Sequence, residues 1–307
     1  MPQANSDVQL PPRDGGVEPS GAPARSTLAG APSRCDNPFA AGGADSQLLP
    51  QAAGFASAKG SLSSSGEPVG LPLAGSNVLK VGNLLPAEAG AELTLSQLRI
   101  TEIFYSLQGE TSRVGLPTVF IRLTGCPLRC TYCDTAYAFT GGQNMSLANI
   151  LRKVADYEPH YVTVTGGEPL AQKNCLPLLR ALCDAGYEVS LETGGAMDIG
   201  EVDARVMRVV DIKTPASGEV SKNRWENLAF LTQYDEVKFV LCDENDYQWA
   251  KQIVQQHHLA EKCAVLFSPA HDELNATQLA DWILQDHLPV RMQLQLHKIL
   301  WNNTPGH

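Results

Sequence analysis

From residue 98 onward, short β-branched or apolar runs alternate with stretches whose apolar residues recur at helical spacing. Residues 118–124 (TVFIRLT), 161–165 (YVTVT), 187–191, 206–212, 236–241, 263–267 and 290–296 read as strands. Between them, Ser146 can cap a helix with Leu147, Ile150, Leu151 and Val154 on one face. Asn174 can cap another, with Leu176, Leu179, Leu182 and Cys183 inward and Gly186 as its stop. A short helix is expected near residues 224–231. Tyr247, Ala250, Ile253 and Val254 stripe a further helix, and Leu279, Trp282 and Ile283 the last. Strands separated by helical segments of this length imply parallel pairing through right-handed crossovers. About seven such strands predict an α/β fold with a partial, incomplete TIM-like parallel barrel rather than a closed one of eight.

The first 97 residues follow no such pattern. Ala, Pro, Gly and Ser supply 52 of them, and Phe39 and Phe55 are their only aromatics. Such a stretch cannot bury enough apolar surface to offset the entropy of ordering it. It is therefore expected to be a disordered extension, leaving residues 98–307 as one core domain. A linker, a regulatory segment or an upstream stretch translated only on paper would each fit its composition.

Charge and hydropathy narrow the function classes. No run approaches the roughly 18–20 apolar residues of a spanning helix, and the N-terminus has no basic region followed by an apolar stretch. Residues 98–307 carry 18 Lys and Arg against 25 Asp and Glu, and this excess of acid argues against broad nucleic-acid binding. Eight cysteines without a secretory signal point to a reducing, cytoplasmic setting in which thiols bind metal or do chemistry.

The polar and glycine-rich segments follow the strands. They are GCPLRCTYCDT (125–135), TGGEP (165–169), ETGG (192–195), DIKTP (211–215), SPA (268–270) and His297 with Lys298. In a parallel α/β barrel the carboxyl ends of the strands form one face, where sites sit. Six motifs in one relative position predict a single site. Cys126, Cys130 and Cys133 are spaced to hold three irons of a [4Fe–4S] cluster and leave the fourth iron open. A structural zinc is the alternative, but it needs a fourth ligand. Cys175, Cys183, Cys242 and Cys263 show no such spacing. Cys183 on a helix stripe and Cys263 in a strand read as buried apolar residues, and Cys35 stands alone.

The CxxxCxxC loop, with Tyr132 before its last cysteine, resembles the cluster loop of the radical S-adenosylmethionine superfamily. Gly166, Gly167 and Glu168 resemble that superfamily's second motif, which meets the methionyl amino group. A glycine pair at a strand end also lets backbone approach a ligand closely. Within the superfamily, EIFYSLQGE (102–110), FIRLTGC (120–126) and CDT (133–135) are similar to the 7-carboxy-7-deazaguanine synthase family, and the similarity runs over residues 100–301.

The resemblance implies a lyase reaction of queuosine and 7-deazapurine biosynthesis, in which 6-carboxy-5,6,7,8-tetrahydropterin becomes 7-carboxy-7-deazaguanine with release of ammonia. It implies that Cys126, Cys130 and Cys133 ligate the cluster. Tyr132, Cys133, Asp134, Gly167, Glu168, Asp211, Ile212 and Lys213 would bind S-adenosylmethionine, as would Ser268, Pro269, Ala270 and His271. Leu107, Gln108, Gly109, Thr165 and His297 would bind the pterin. Thr135 would bind Mg²⁺, and Glu192 and Arg122 would serve catalysis. Arg122 also has support of its own, since a charge inside an apolar strand needs a partner and a guanidinium suits a carboxylate. An ordinary ion pair with Glu102 or Glu110 is the competing reading. An external electron donor such as flavodoxin and a homodimer are further implications, with no nucleic-acid or membrane partner. Departures from the family pattern are Thr111 where Gly is common, ETGG for ETNG or ETSG, and DIK for a Ser-Pro-Lys. Two alternatives remain open on the residues: a glycyl-radical-activating enzyme, or a non-catalytic iron–sulfur or zinc module.

Overall fold

The computed structural model describes residues 93–302, 304 and 306. Through residue 92, the expected extension lies outside the described residues. Just after it, Leu93 is buried and joins the main hydrophobic cluster, so the core begins ahead of residue 98.

The described residues form one nine-stranded sheet: β1 (Gln97–Leu107), β2 (Pro117–Leu123), β3 (Gln143–Ser146), β4 (Tyr161–Gly166), β5 (Glu188–Thr193), β6 (Met207–Asp211), β7 (Glu236–Leu241), β8 (Ala264–Pro269) and β9 (Arg291–Met292). Its order is β3-β1-β2-β4-β5-β6-β7-β8-β9, and the sheet does not close. From β2 through β9 every pairing is parallel. Six of the seven strands expected from the sequence are found, the seventh pairs only at Arg291–Met292, and the architecture is the partial barrel expected. β1 and β3 were not anticipated. They extend the sheet antiparallel at one edge, where the half-exposed face of β1 carries Arg99 and Glu102.

The helices cover the sheet. Ser146 Oγ accepts from Asn149 N at the start of α1 (Leu147–Ala155), and the four expected apolar residues are buried. In α2 (Cys175–Asp184) the buried face is Cys175, Leu178, Leu179, Ala181 and Leu182. That is a correction: Leu176 and Cys183 are only partly buried. Asn174 does stand before this helix, but its amide donates to Gln97 O at 2.9 Å and makes no cap bond. Asp243 caps α3 (Glu244–Gln256), which buries the expected Tyr247, Ala250, Ile253 and Val254. α4 (Leu259–Lys262) follows at once. Asn275 caps α5 (Ala276–Gln285), which buries Leu279 and Ile283. The short helix expected near 224–231 is a 3-10 turn, Trp225–Ala229. No helix among the described residues is long and apolar enough to cross a membrane.

The predicted strand 290–296 is the clearest miss. Only Arg291–Met292 pairs in the sheet, and α6 (Leu296–Trp301) follows. The cause is a competing bond: Gln293 Nε2 and Leu296 N both donate to Gly109 O, at 3.0 and 3.2 Å. These bonds draw the chain out of the ladder and over the loop between β1 and β2. His297 consequently sits in a helix rather than at a strand end.

Leu93 and Leu95 lie in one helical turn, the first buried and the second 82% exposed. Leu93→Ala is expected to destabilise the full chain by about 2–5 kcal/mol, the usual range for emptying a core leucine site. Leu95→Ala should stay within about 0.5 kcal/mol. Urea unfolding followed by fluorescence measures both.

Candidate active site

One cavity of about 390 Å³ opens at the carboxyl end of the parallel strands. The loop after β1 enters it first. Gln108 is buried, and its Oε1 accepts from Gly109 N and Glu110 N at 2.7 and 2.9 Å. Its Nε2 donates to Glu192 Oε1 at 3.0 Å, at the end of β5. Thr165 Oγ1, from β4, donates to the other oxygen of Glu192 at 3.0 Å. Burial raises the Glu192 carboxyl above its usual range, against the opposing pull of Lys238 and these two bonds. Thr111 is buried and is not in the left-handed region, so the backbone of this turn has no need of glycine.

The loop after β2 carries the three cysteines, all lining the cavity. It is held from several sides. Gly125 N donates to Ala138 O, and Glu168 N to Gly125 O, both at 2.8 Å. The Arg129 guanidinium donates to the carbonyls of Cys126 and Leu128 and lies over the Phe139 ring. Thr131 bonds the backbone at Ala216 and Ser217. Gly166 presses against the end of β2 at Leu123, and Gly167 against this loop: a Cβ on Gly167 would collide with the Gly125 carbonyl and stand 2.8 Å from Cys126 Cβ. Only glycine fits there.

Glu168 is fully buried and does not line the cavity. It accepts from Thr193 Oγ1, Gly194 N and Leu170 N at 2.8–3.0 Å, so its carboxylate ties the end of β4 to the end of β5. Ile212 belongs to the hydrophobic core, and Ser268 and Pro269 are buried in β8. None of the three lines the cavity, whereas Ala270 and His271 do. The other residues singled out in the sequence all line it: Leu107, Gln108, Gly109, Arg122, Tyr132, Asp134, Thr135, Thr165, Gly167, Glu192, Asp211, Lys213 and His297. Arg122 pairs with Glu102 at 2.7 Å, the ordinary ion pair weighed above, while its guanidinium still borders the cavity.

Lys238 and Gln295 also line the cavity, and neither gave a sequence signal. Lys238, from the middle of β7, pairs with Glu110 at 2.7 Å and lies 3.7 Å from Asp211, which also pairs with Lys213 at 3.1 Å. Burial would raise the Glu110 carboxyl, but the Lys238 ammonium holds it well below the usual range. Gln295 donates to Glu110 and Asp134, and Lys298 pairs with Asp134 at 3.0 Å. Asp246 is buried beneath the loop after β6 and accepts from Thr214 Oγ1, Ala216 N and Cys242 N.

The donor set fits the groups expected. Among the described residues, the His, Cys, Asp and Glu trio whose ligand atoms all lie within 4.8 Å of one another is Glu110, Asp134 and His297. Apart from that trio, the three thiols line the same cavity. Two buried polar atoms beside them, Tyr132 OH and Asp211 Oδ1, have no partner. An unsatisfied buried polar atom is costly, and here both line a cavity that a polar ligand would fill. Thr135 Oγ1 donates to Asp134 Oδ1 at 2.9 Å, beside the Glu110 carboxylate, which is oxygen-rich ground for a hard cation.

The radical SAM superfamily pattern matches residues 120–211. The 7-carboxy-7-deazaguanine synthase of Chlorobaculum tepidum is 45% identical over 212 residues, covering 68% of this chain and 96% of that protein. The protein of the same name from Koribacter versatilis is 43% identical, covering 66% of this chain and 97% of its own. The crystal structure of QueE from Escherichia coli superposes with a TM-score of 0.57 over 69% of this chain and 99% of that one, at 21% identity.

The thiols allow a direct test. Ala at Cys126, Cys130 or Cys133 is expected to abolish iron binding after anaerobic reconstitution, while Cys183→Ser should retain it. Cys183 is the better control because it is half-buried. A hydroxyl at fully buried Cys175 would cost about 1–3 kcal/mol for reasons unrelated to metal. Iron loss in Cys183→Ser would overturn the three-ligand assignment.

Proposed function

Because the chain belongs to the 7-carboxy-7-deazaguanine synthase family of radical SAM enzymes, we infer that it converts 6-carboxy-5,6,7,8-tetrahydropterin to 7-carboxy-7-deazaguanine with release of ammonia. It is a lyase that uses a [4Fe–4S] cluster and S-adenosylmethionine. The observation that carries the reading is convergence. Three thiols, a glycine pair, a guanidinium and a polar Gln108–Glu192–Thr165 chain line one cavity although they come from separate strand ends. The catalytic work belongs to the core domain expected over residues 98–307, with Leu93 ahead of it packed into the same core.

Cys126, Cys130 and Cys133 would hold the cluster, and with S-adenosylmethionine bound it supplies the radical that removes hydrogen from the substrate. The chain's own residues bind, orient and exclude water. Tyr132, Asp134, Gly167, Asp211, Lys213, Ala270 and His271 border the cofactor's side. Tyr132 OH and Asp211 Oδ1 supply polar atoms that lack partners in the ligand-free chain. Glu168, Ile212, Ser268 and Pro269, buried behind that side, would complete the cofactor site.

Leu107, Gln108 and Gly109 would meet the pterin, partly through backbone, with Thr165 and His297. Arg122 would exchange Glu102 for the substrate carboxylate, an exchange its border position permits. Glu192, with its raised carboxyl, would accept from a ring N–H. Thr135 would ligate Mg²⁺, which orients the substrate and neutralises charge. A homodimer, a cytoplasmic setting and an external reductant such as flavodoxin complete the reading on the strength of the resemblance.

The test is anaerobic turnover with the carboxytetrahydropterin, S-adenosylmethionine and a reductant, with products separated by chromatography. Ring-contracted 7-carboxy-7-deazaguanine is expected, and its absence would remove the substrate assignment and bring a glycyl-radical-activating function forward. Thr135→Ala should keep its cluster and lose most of the Mg²⁺ stimulation. Loss of one orienting contact costs on the order of a hundredfold in rate. Identical Mg²⁺ dependence in the two proteins would remove Thr135 as a ligand.

A further inference from the structure

β7 is buried along its whole length, yet it carries Lys238 at its centre. The ammonium reaches the cavity and is held by carboxylates from two different regions. Glu110 Oε2, 2.7 Å away, follows directly on the segment 107–109 and also faces Gln295 and His297. Asp211 Oδ2, 3.7 Å away, ends β6, and its charge acts on Tyr132 and Cys130 of the cysteine loop. Asp211 is meanwhile paired to Lys213 at 3.1 Å, and its other oxygen has no partner. Glu192, tied to Gln108 and Thr165, is the third carboxylate whose charge acts on this ammonium. Lys238 thus sits between the pterin side and the cofactor side of the site, closely bonded to one and loosely to the other.

We propose that Lys238 is a positioning residue that couples the two ligand-binding halves, its ammonium being shared between Glu110 and Asp211. The inference rests on the functional reading above. A lysine head is a compact charge on a flexible stem with three donors, able to shift between acceptors. An aminopyrimidinone ring presents N–H donors that suit a carboxylate. Once such a ligand engages Glu110, the short bond to Lys238 is in competition and the ammonium moves toward Asp211. That movement fixes Asp211 and leaves its free oxygen to accept from a hydroxyl or amino group of the cofactor. Cofactor binding at Asp211 draws the ammonium the same way and frees Glu110 for the ring. Coupling of this kind is reciprocal by linkage. It makes the site complete only when both ligands are present, which restrains cofactor cleavage without substrate.

The experiment uses the full chain, reconstituted anaerobically and left unreduced so that no turnover occurs. Calorimetry gives the affinity for S-adenosylmethionine with and without saturating carboxytetrahydropterin. In the wild type the pterin should tighten cofactor binding about tenfold, within the ordinary range for coupled sites. In Lys238→Met the factor should fall to within about twofold of unity, and Lys238→Arg, which keeps the charge and the donors, should recover most of it. A merely structural lysine would lower both affinities and leave their ratio alone. Should Lys238→Met fail to take up iron, Glu110→Gln carries the same test, because it removes the pterin-side acceptor and leaves Lys238 on Asp211. A wild-type factor of one, or an unchanged factor in Lys238→Met or Glu110→Gln, overturns the coupling. Failure of the wild type to bind the pterin at all would instead overturn the functional reading.

Discussion

The end of β4 lies so close to the end of β2 and the cysteine loop that follows it that two successive residues there must lack side chains, and the rest of the site is arranged around that contact. A Cβ on Gly166 would stand 2.8 Å from Leu123 N, and one on Gly167 at the same distance from Cys126 Cβ. Backbone on both sides leaves no flexible side chain to give way. Gly167 N also donates to Leu123 O, and Glu168 N to Gly125 O, so the glycine pair and the cluster loop form one rigid unit. Rigidity matters because residues that orient reacting groups lose rate steeply when displaced by about an ångström. Glu168 then turns inward and binds the end of β5, which carries Glu192 toward the cavity.

Around this unit the site is strongly charged for its depth. Glu110, Lys238, Asp211 and Lys213 follow one another across the mouth, each paired with the next. Such pairs add little net stability, since desolvation offsets most of the attraction, but breaking one leaves a buried charge uncompensated. Their value lies in placement. Alternating signs fix each side chain between its neighbours and leave specific acceptors, such as Asp211 Oδ1, for a ligand.

The frame was legible in the sequence wherever a local rule decided the outcome. Ser146 and the apolar spacing after it fix α1, and continuous β-branched runs mark strands that are buried on both faces. The cysteine spacing and the glycine pair were legible because their chemistry is local. What escaped is non-local. β1 mixes Arg99 and Glu102 into its pattern because one face stays partly exposed, so it reads as a motif rather than a strand. The alternating run at 290–296 looks like a full strand, and only the bonds from Gln293 and Leu296 to Gly109 cut it short. Lys238 has no spacing signal at all, since its partner Glu110 is 128 residues away in the chain. The four predicted contacts that fall behind the cavity, Glu168, Ile212, Ser268 and Pro269, share a cause. Each sits in a motif whose neighbouring residues do reach the cavity, and the motif alone does not say which of its residues faces the ligand.

The central claim is that three thiols at the open end of the sheet hold a cluster whose remaining iron is free to take S-adenosylmethionine. The most direct measurement is the electron paramagnetic resonance spectrum of the anaerobically reconstituted, dithionite-reduced full chain, recorded before and after S-adenosylmethionine is added. The account predicts the signal of one reduced [4Fe–4S] cluster per chain and a clear change in its g values when the cofactor binds. A cluster signal indifferent to S-adenosylmethionine, or a protein that takes up zinc and no iron, would contradict it.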